Sequence, residues 1–453
     1  MLLFFQFLMT GRAARVWPRA WLCVLLGAWA VTATAAEPWT LERAIAQALT
    51  NSPDARIAQQ RIQEAQAGLM QANAAFWPQV QFQSSYMRTD NPINVFGSIL
   101  NERSFSPALL NSLNNVPEAD DLNARGAVTV PLYAGGKNTA RRHAAQANAQ
   151  ATRLDAEAVR NNLAFEVARA FHTVHKARAF IRAAEASVTS YEGNVKMAQK
   201  RFDAGTLLRT EVLDMEVRLA QAREDLVRAR NAERLAVRSL RNLLGIETGD
   251  FDVADTAPKV TPPQSNDFSA RPELAASKQQ QQAAAAEVRQ AKGGYQPELA
   301  AFSDLDYDHG WRFNGSGQSW TAGLRLRWDL WDGQLTRGKV REARAKLESA
   351  QESERKLRLA IDLEAERARL SLQDATERLT VTDKAVSQAA ESVTLTRDRF
   401  AQGLAISTQL IDAETALTGA RVRRAEAEAD QQIAIAAWRK ALGLPQLEAA
   451  RLP

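Results

Sequence analysis

The chain has 453 residues, of which 45% are hydrophobic, 7% aromatic and 24% charged. Such a length is enough for two or three ordinary domains or for one elongated domain. The abundance of Ala, Gln, Arg and Glu is typical of long helices and coiled coils rather than of a large globular core. The formal net charge of +5 does not indicate a nucleic-acid partner, because nucleic-acid-binding proteins concentrate their basic residues on one face.

The first 36 residues differ from the rest and predict a secretory signal peptide. Arg12, Arg15 and Arg19 form a basic region without acidic residues, and an apolar run and several small residues follow. We therefore expect cleavage near Ala35 or Ala36, which lowers the net charge of the chain from +5 to +2. The only cysteine, Cys23, lies in this segment, so we expect no disulfide and no cysteine-ligated metal in the mature protein.

The sequence contains an internal repeat. A shift of 198 positions aligns Arg201-Phe202 with Arg399-Phe400, together with the glycine three residues after each phenylalanine. The Leu-Gly pair that ends each copy aligns at the same shift. We predict a signal peptide at residues 1–36, a first repeat at 37–247, a linker at 248–269, a second repeat at 270–445 and a tail at 446–453.

Each repeat predicts the same order of elements, namely a helix, two strands and two long helices. Proline is absent from residues 132–257 and 334–444, and helices that long need a partner along their length. Apolar residues spaced three and four apart on both sides of one glycine indicate an antiparallel coiled-coil hairpin. An ordinary cytosolic coiled coil would show the same periodicity. The two hairpins are expected at residues 138–244 and 335–442.

The predicted strands alternate between apolar and polar residues. They lie at about residues 79–88, 123–132, 298–308 and 319–331. Strands of about 10 residues have the length that crosses an outer membrane. A half-buried soluble sheet alternates in the same way, and the signal peptide favours the membrane interpretation. The polar face, which would line a water-filled lumen, carries Asp304, Asp306, Asp308, Arg325 and Arg327.

Four strands are too few to close a barrel, because the smallest bacterial barrels have about 8 strands. Open sheet edges are not tolerated in lipid. The chain is therefore expected to assemble with copies of itself. From the strand number alone, two, three or four copies remain open, giving about 8, 12 or 16 strands, and only the larger barrels leave an aqueous lumen.

Several short motifs, in the same order in both copies, resemble the TolC family of outer-membrane efflux proteins. They include Tyr295-Gln296-Pro297 before a strand, the Leu-Tyr-Ala-Gly-Gly run at 132–136 after one, and the two Arg-Phe-x-x-Gly turns. The resemblance covers essentially the whole mature sequence. It implies a mainly α fold with a transmembrane β-barrel, in which four strands per subunit complete a 12-stranded barrel in a homotrimer. A long α-helical coiled-coil tunnel would extend into the periplasm.

The same resemblance implies a function, a location and partners. The chain would be the exit duct of a tripartite efflux or type I secretion system in the outer membrane of a Gram-negative bacterium. It would act as a passive conduit, opened at its periplasmic tip by a periplasmic adaptor and an inner-membrane pump. Drugs, metal ions and proteins all stay open as cargo. A periplasmic coiled-coil adaptor or structural protein without a pore is the alternative function.

The resemblance also assigns site residues. The turns of the two hairpins would contact the adaptor through Arg201, Phe202, Gly205, Arg399, Phe400 and Gly403. Glycine at a turn is explained by its conformational freedom alone. Asp412, with Gln409 at the first position of the family's acidic pattern, would form the periplasmic gate. The alternative for Asp412 is an ordinary solvated helix residue.

The remaining patterns do not indicate catalysis, cofactors or metals. No phosphate-binding loop, nucleophile elbow or zinc-binding helix motif is found in the sequence. The acids at 304–308 lack the glycine and the final glutamate of a calcium loop. His172 and His175 lie three residues apart on a predicted helix, and without a third ligand we expect two surface imidazoles rather than a metal site.

Overall fold

The computed structural model describes residues 38–112, 115–248, 251–256, 258 and 260–447, with the backbone alone described at 110–112. The predicted signal peptide and residues 448–453 of the predicted tail lie outside the described residues. The helices are α1 (Leu41–Asn51), α2 (Pro53–Ala74), α3 (Pro92–Asn101), α4 (Lys137–Asp203), α5 (Arg209–Leu243), α6 (Pro272–Lys292), α7 (Leu335–Ala401) and α8 (Ser407–Ala441). The strands are β1 (Gln79–Thr89), β2 (Ala119–Ala134), β3 (Glu298–Gly310) and β4 (Gly315–Arg327).

The long helices of the two repeats have equal lengths. Helices α4 and α7 have 67 residues each, and α5 and α8 have 35 residues each. At ~1.5 Å per residue, α4 and α7 are each about 100 Å long. Helix α4 packs against α5, and α7 packs against α8, so each repeat contains one antiparallel helical hairpin. Helix α4 also contacts α8 and α6, which joins the two repeats.

The first helix of the first repeat is divided in two, where the sequence predicts one helix from Leu41 to about Ala74. Helix α1 ends at Asn51 and α2 begins at Pro53, with Ser52 in an extended conformation between them. Proline has no N–H to continue the helical hydrogen bonds, but it is well suited to the first position of a new helix. The equivalent helix of the second repeat, α6, also begins with a proline.

The four strands form one antiparallel sheet in the order β1-β2-β3-β4. The structure corrects two predicted strands. Strand β2 begins at Ala119 rather than near residue 123, and β4 covers Gly315–Arg327 rather than 319–331. Strand β3 begins at Glu298, which pairs with Arg327. The alternating residues after Arg327 therefore have no residue of β3 with which to pair.

The connection between β1 and β2 differs from the long loop that the turn residues within 89–121 predict in the sequence. It contains α3 and a short 3₁₀ helix, Pro107–Ser112. The side chain of Asn91 accepts hydrogen bonds from the N–H groups of Ile93 and Asn94, and so caps α3. Val95 and Ile99 are buried against Ala119 at the start of β2. This packing holds α3 against one end of the sheet.

Two of the three apolar clusters in the described long helices involve the hairpins most extensively. One joins α1 to the middle of α4 and the end of α5, through residues such as Leu41, Phe171 and Leu240. The other lies next to the hairpin turns and includes residues from all four long helices. Among the described residues, none of the helices is both long enough and apolar enough to cross a membrane.

Candidate functional site

The two faces of the sheet differ in chemistry. The register places the five residues predicted to line a lumen on the same face. On this polar face, the Nε atom of Arg125 donates to Asp306 Oδ1 at 2.6 Å. The guanidinium of Arg325 lies 4.8 Å from the centroid of the Phe302 ring. Charges of opposite sign therefore face one another along neighbouring strands.

Asp308 departs from the lumen prediction, because its side chain is buried rather than open to water. Its Oδ1 atom accepts a hydrogen bond from the Asn123 amide at 2.8 Å. Residues of α3 cover this end of the polar face. The sequence pattern places Asp308 on the correct face but does not reveal the helix above it.

The opposite face of the sheet carries large apolar side chains that are exposed in the single chain. Trp320 and Leu324 on β4 are 74% and 69% exposed, and Phe82 on β1 is 77% exposed. Phe82, Gly126, Leu305 and Trp320 lie in one row across the four strands. An exposed apolar surface of this kind marks an interaction with lipid or with another protein.

The single chain leaves strand edges and helix faces without partners among the described residues. Strands β1 and β4 each pair on one side only. Apolar residues are also exposed on α5, at Leu213, Val217, Val227 and Leu235, and on α7, at Leu359, Leu363, Leu370, Val381 and Leu395. Helices α5 and α7 lie at the two outer edges of the helical layer, since α4 and α8 pack between them. These faces are suited to packing against further copies of the chain.

Both hairpin turns have the same backbone geometry. Gly205 and Gly403 have φ values of 73° and 81°, a left-handed conformation that glycine adopts without steric cost. In the first turn Thr206 N–H donates to the carbonyl oxygen of Arg201 at 2.9 Å, and in the second Leu404 N–H donates to that of Arg399 at 2.8 Å. These bonds satisfy the last carbonyl groups of α4 and α7.

The residues of the two turns are not equivalent in their surroundings. Phe400 is fully buried, whereas Phe202 is 36% exposed. Arg201 Nη1 donates to the carbonyl oxygen of Phe400 at 2.6 Å, and its guanidinium lies 4.9 Å from the centroid of the Phe400 ring. Phe400 is therefore a packing residue between the hairpins, and the prediction that its side chain contacts an adaptor is wrong for this structure. Arg399 is exposed.

The predicted gate residues lie in the first turns of α8. Gln409 and Asp412 are both exposed, while Leu410 and Ile411 between them are buried in the cluster next to the turns. The helix therefore presents both polar side chains on its free face. This position fits a gate and fits equally an ordinary solvated residue in a single chain.

A buried polar cluster next to the predicted gate residues was not foreseen from the sequence. Glu414, which is 3% exposed, accepts hydrogen bonds from Ser190 Oγ at 2.6 Å, from Asn194 Nδ2 at 3.2 Å and from Arg397 Nη2. It thus joins α8 to α7 within its own hairpin and to α4 of the other repeat. An acid at an apolar position of the seam, between Leu410 and Leu417, is the sequence signal that could have revealed it.

Glu211 makes a further link between the hairpins. Its Oε1 atom accepts a hydrogen bond from Ser407 Oγ at 3.2 Å. Ser407 begins α8, so the start of the second hairpin's return helix is tied to α5. The turns of the two repeats are therefore joined by hydrogen bonds near their ends.

His172 and His175, two of the three histidines of α4, are not the surface imidazoles that the sequence suggested. His172 is buried, and its ring centroid lies 6.0 Å from that of Phe171, which is 4.9 Å from that of His175. Burial lowers the pKa of His172 to about 4, with a smaller effect from His175. Among the described residues, no group of three or more His, Cys, Asp or Glu side chains is placed to hold a metal ion.

Comparison with known proteins gives a match over most of the chain. The family model of outer membrane efflux proteins matches residues 44–246 and 268–444, which correspond to the two repeats. Its description is that of an efflux protein and not of an enzyme.

Two curated proteins are similar in part. The alkaline protease secretion protein AprF of Pseudomonas aeruginosa is 26% identical over 277 residues, covering 57% of this chain and 56% of AprF. The outer membrane protein TolC of Vibrio cholerae is 30% identical over 138 residues, covering 30% of this chain and 31% of TolC. The chain thus spans little more than half of one relative and about a third of the other.

A solved structure shows the same fold. The outer membrane protein VceC of Vibrio cholerae superposes with a TM-score of 0.76 at 19% identity, covering 90% of this chain and 97% of VceC. Most of this chain therefore has a counterpart in that structure.

Proposed function

Because the chain belongs to the outer membrane efflux protein family, we propose that it is one subunit of a trimeric channel that forms the exit duct of an efflux or secretion system. The observation that carries this proposal is the sheet with one polar and one exposed apolar face. Sheets of this kind are suited to a barrel with lipid outside and water inside. The outer membrane of a Gram-negative bacterium is then its location, with the helices in the periplasm.

The strand number and the free surfaces favour a closed ring of copies, and the resemblance to the TolC family implies that the ring has three. Twelve strands would close the edges of β1 and β4 on neighbouring subunits, and lipid does not tolerate open edges. In such a ring the exposed apolar residues of α5 in one subunit would pack against those of α7 in the next. The free strand edges and the exposed helix faces therefore both favour a closed ring of subunits.

The hairpin turns are the proposed contact for a periplasmic adaptor, and an inner-membrane pump would supply the cargo. With Phe400 buried, the accessible residues of the predicted set are Phe202, Gly205, Arg399 and Gly403. Leu208, Leu404 and Ile406 beside them are 69%, 72% and 58% exposed. An apolar tip of this kind suits a protein partner.

Asp412, with Gln409 one turn earlier, is the proposed gate. Three copies of Asp412 near a common axis would repel one another and attract cations. The proposed conduit is passive and is opened at its periplasmic tip by the adaptor and the pump.

Conductance in a planar lipid bilayer tests the proposed function. Purified protein should give stable ion conductance, whereas an adaptor or structural coiled coil without a pore would give none. The proposed topology places the connection between β1 and β2 on the cell surface, and Asn115→Cys in this connection tests it separately. An impermeant thiol reagent should label this variant in intact cells. Labelling only after the outer membrane is permeabilised would contradict the topology.

A further inference from the structure

Helix α3 lies on the polar face of the sheet, at the end where β3 turns into β4. Three glycines on the hairpin, Gly310, Gly315 and Gly317, allow this close approach. A Cβ atom at residue 315 would lie 2.8 Å from the Cβ atom of Glu102, and one at residue 317 would collide with the carbonyl oxygen of Asn101. The polar face at this end is therefore covered by the C-terminal turn of α3.

Glu102, directly after α3, carries an unusual carboxyl group. The residue is 1% exposed, and neither Oε atom has a hydrogen-bond partner among the described residues. Its carboxyl group lies against Gly310, where a Cβ atom would collide with both oxygens. A buried ionised carboxylate without partners is strongly unfavourable, whereas the neutral acid is tolerated far better.

Other acids surround this position. The register aligns Leu122 with His309, so the preceding Asp121 lies next to Gly310 and the Glu102 carboxyl above it. Asp121 and Asp308 are 8% and 3% exposed, and Asp121 Oδ1 also lacks a partner among the described residues. Each additional negative charge makes ionisation of Glu102 less favourable.

Asp120, Arg103 and Arg88 at this end of the sheet have other partners. Asp120 accepts hydrogen bonds from the main-chain N–H groups of Trp311 and Arg312. The guanidinium of Arg103 donates to the carbonyl oxygen of Gln318 at 3.0 Å. Arg88 forms an ion pair with Glu118.

Burial, with smaller contributions from Asp121, Asp120 and Asp308, raises the pKa of Glu102 from 4.5 to about 7. An exposed glutamate would instead keep a pKa near its ordinary value. Protonation of the Glu102 carboxyl is therefore linked to the packing of α3 on the polar face, which we call its seating.

We propose that α3 is a proton-dependent cap over the polar face, seated while the Glu102 carboxyl is protonated and released when that carboxyl ionises. If the polar face lines the lumen, as the proposed function requires, the cap narrows the outer exit of the channel. Because the Glu102 carboxyl is more easily protonated when α3 is packed on the sheet, protonation stabilises this packed position. Seating is strongest at acidic pH and weakens as the pH rises from 4.5 to 7.

Thiol labelling beneath α3 tests this proposal. Val95, on the buried face of α3, is 0% exposed, and Ile93 near the start of the same helix is 82% exposed. The labelling rate of Val95→Cys, divided by that of Ile93→Cys, removes the intrinsic pH dependence of thiol chemistry. For the two pKa values of 4.5 and 7, linkage gives a roughly 30-fold rise in this ratio between about pH 5.5 and pH 8.5.

Two variants identify the group responsible. In Glu102→Gln, which cannot ionise, the ratio should stay low at both pH values. In Gly310→Ala, whose added Cβ would displace the Glu102 carboxyl, the ratio should be high at both. A histidine also changes charge near neutral pH, and His309 precedes Gly310, so His309→Gln should retain the rise. A pH-independent ratio in the parent, or an equal rise in Glu102→Gln, would overturn the proposal.

Bilayer conductance separates this proposal from the proposed function. Conductance should rise with pH in the parent and not in Glu102→Gln. A pH-dependent labelling ratio together with pH-independent conductance would overturn the role of α3 at the exit. Absence of any conductance would overturn the proposed channel function, while the labelling ratio would still decide whether Glu102 controls the seating of α3.

Discussion

Arg201 at the end of one hairpin donates a hydrogen bond of 2.6 Å to the carbonyl oxygen of Phe400 at the end of the other. The same guanidinium covers the buried Phe400 ring. The repeat aligns Arg201 with Arg399, yet Arg399 is exposed. The two copies of the Arg-Phe motif thus differ in role, because the arginine of the first copy, Arg201, faces the other hairpin and Arg399 does not.

Arg201→Ala should destabilise the joined tips, whereas Arg399→Ala is a matched control with little effect. A hydrogen bond from a charged donor is worth about 1.5–3 kcal/mol, and the contact with the ring adds to it. Urea unfolding followed by the helical circular dichroism signal should show a lower midpoint for Arg201→Ala only. Equal midpoints for the two variants would contradict the asymmetry between the repeats.

The sheet register predicts a difference between two arginine substitutions on β4. Leu324 lies on the apolar face and Thr321 on the polar face beside Asp304. An arginine facing lipid near mid-membrane costs about 2–4 kcal/mol. Leu324→Arg should therefore reduce the yield of assembled protein in outer-membrane extracts, while Thr321→Arg should preserve it. The reverse result would mean that the face carrying Thr321, and not the face carrying Leu324, is in contact with lipid.

The repeat and the coiled-coil hairpins could be predicted from the sequence because their signals are periodic and extend over many residues. The TolC-family resemblance is confirmed by the match to the outer membrane efflux protein family. The end of β4 could not be predicted, because the alternation continues to Leu330 although pairing stops at Arg327. Alternation reports which face a residue occupies and does not report whether a partner strand is present.

The candidate site was predictable only in part. Gly205 and Gly403 were recognisable as turns because a left-handed backbone selects glycine. The burial of Phe400, the links made by Glu414 and the cover that α3 places over Asp308 depend on contacts between segments far apart in the chain. No local pattern specifies such contacts.

The gate hypothesis predicts a change in ion selectivity. In a planar bilayer, Asp412→Ala should reduce cation selectivity and block by multivalent cations added from the periplasmic side, because three carboxylates are lost. Resting conductance should change little, since packing through the buried Leu410 and Leu417 holds the tip. Asp214→Ala, the matching change in the first repeat, should have a weaker effect. Equal effects, or none, would make Asp412 an ordinary surface residue.

The burial of His172 predicts that the stability of the fold depends on pH. Burial lowers its pKa from 6.5 to about 4, so the folded state resists the protonation that the unfolded chain accepts. The free energy of unfolding should fall as the pH drops from 6.5 towards 4, by up to about 3 kcal/mol from this group. Thermal midpoints measured across this range should fall less steeply in His172→Leu. The exposed His143, changed to leucine, is the control and should leave the slope unaltered.

In the proposed assembly, three copies of this chain close one channel in the outer membrane. Native mass spectrometry of the protein, extracted from outer membranes in mild detergent, measures the number of copies directly. We expect one dominant assembly of three chains. A dominant single chain, or an assembly of any other number, would contradict it.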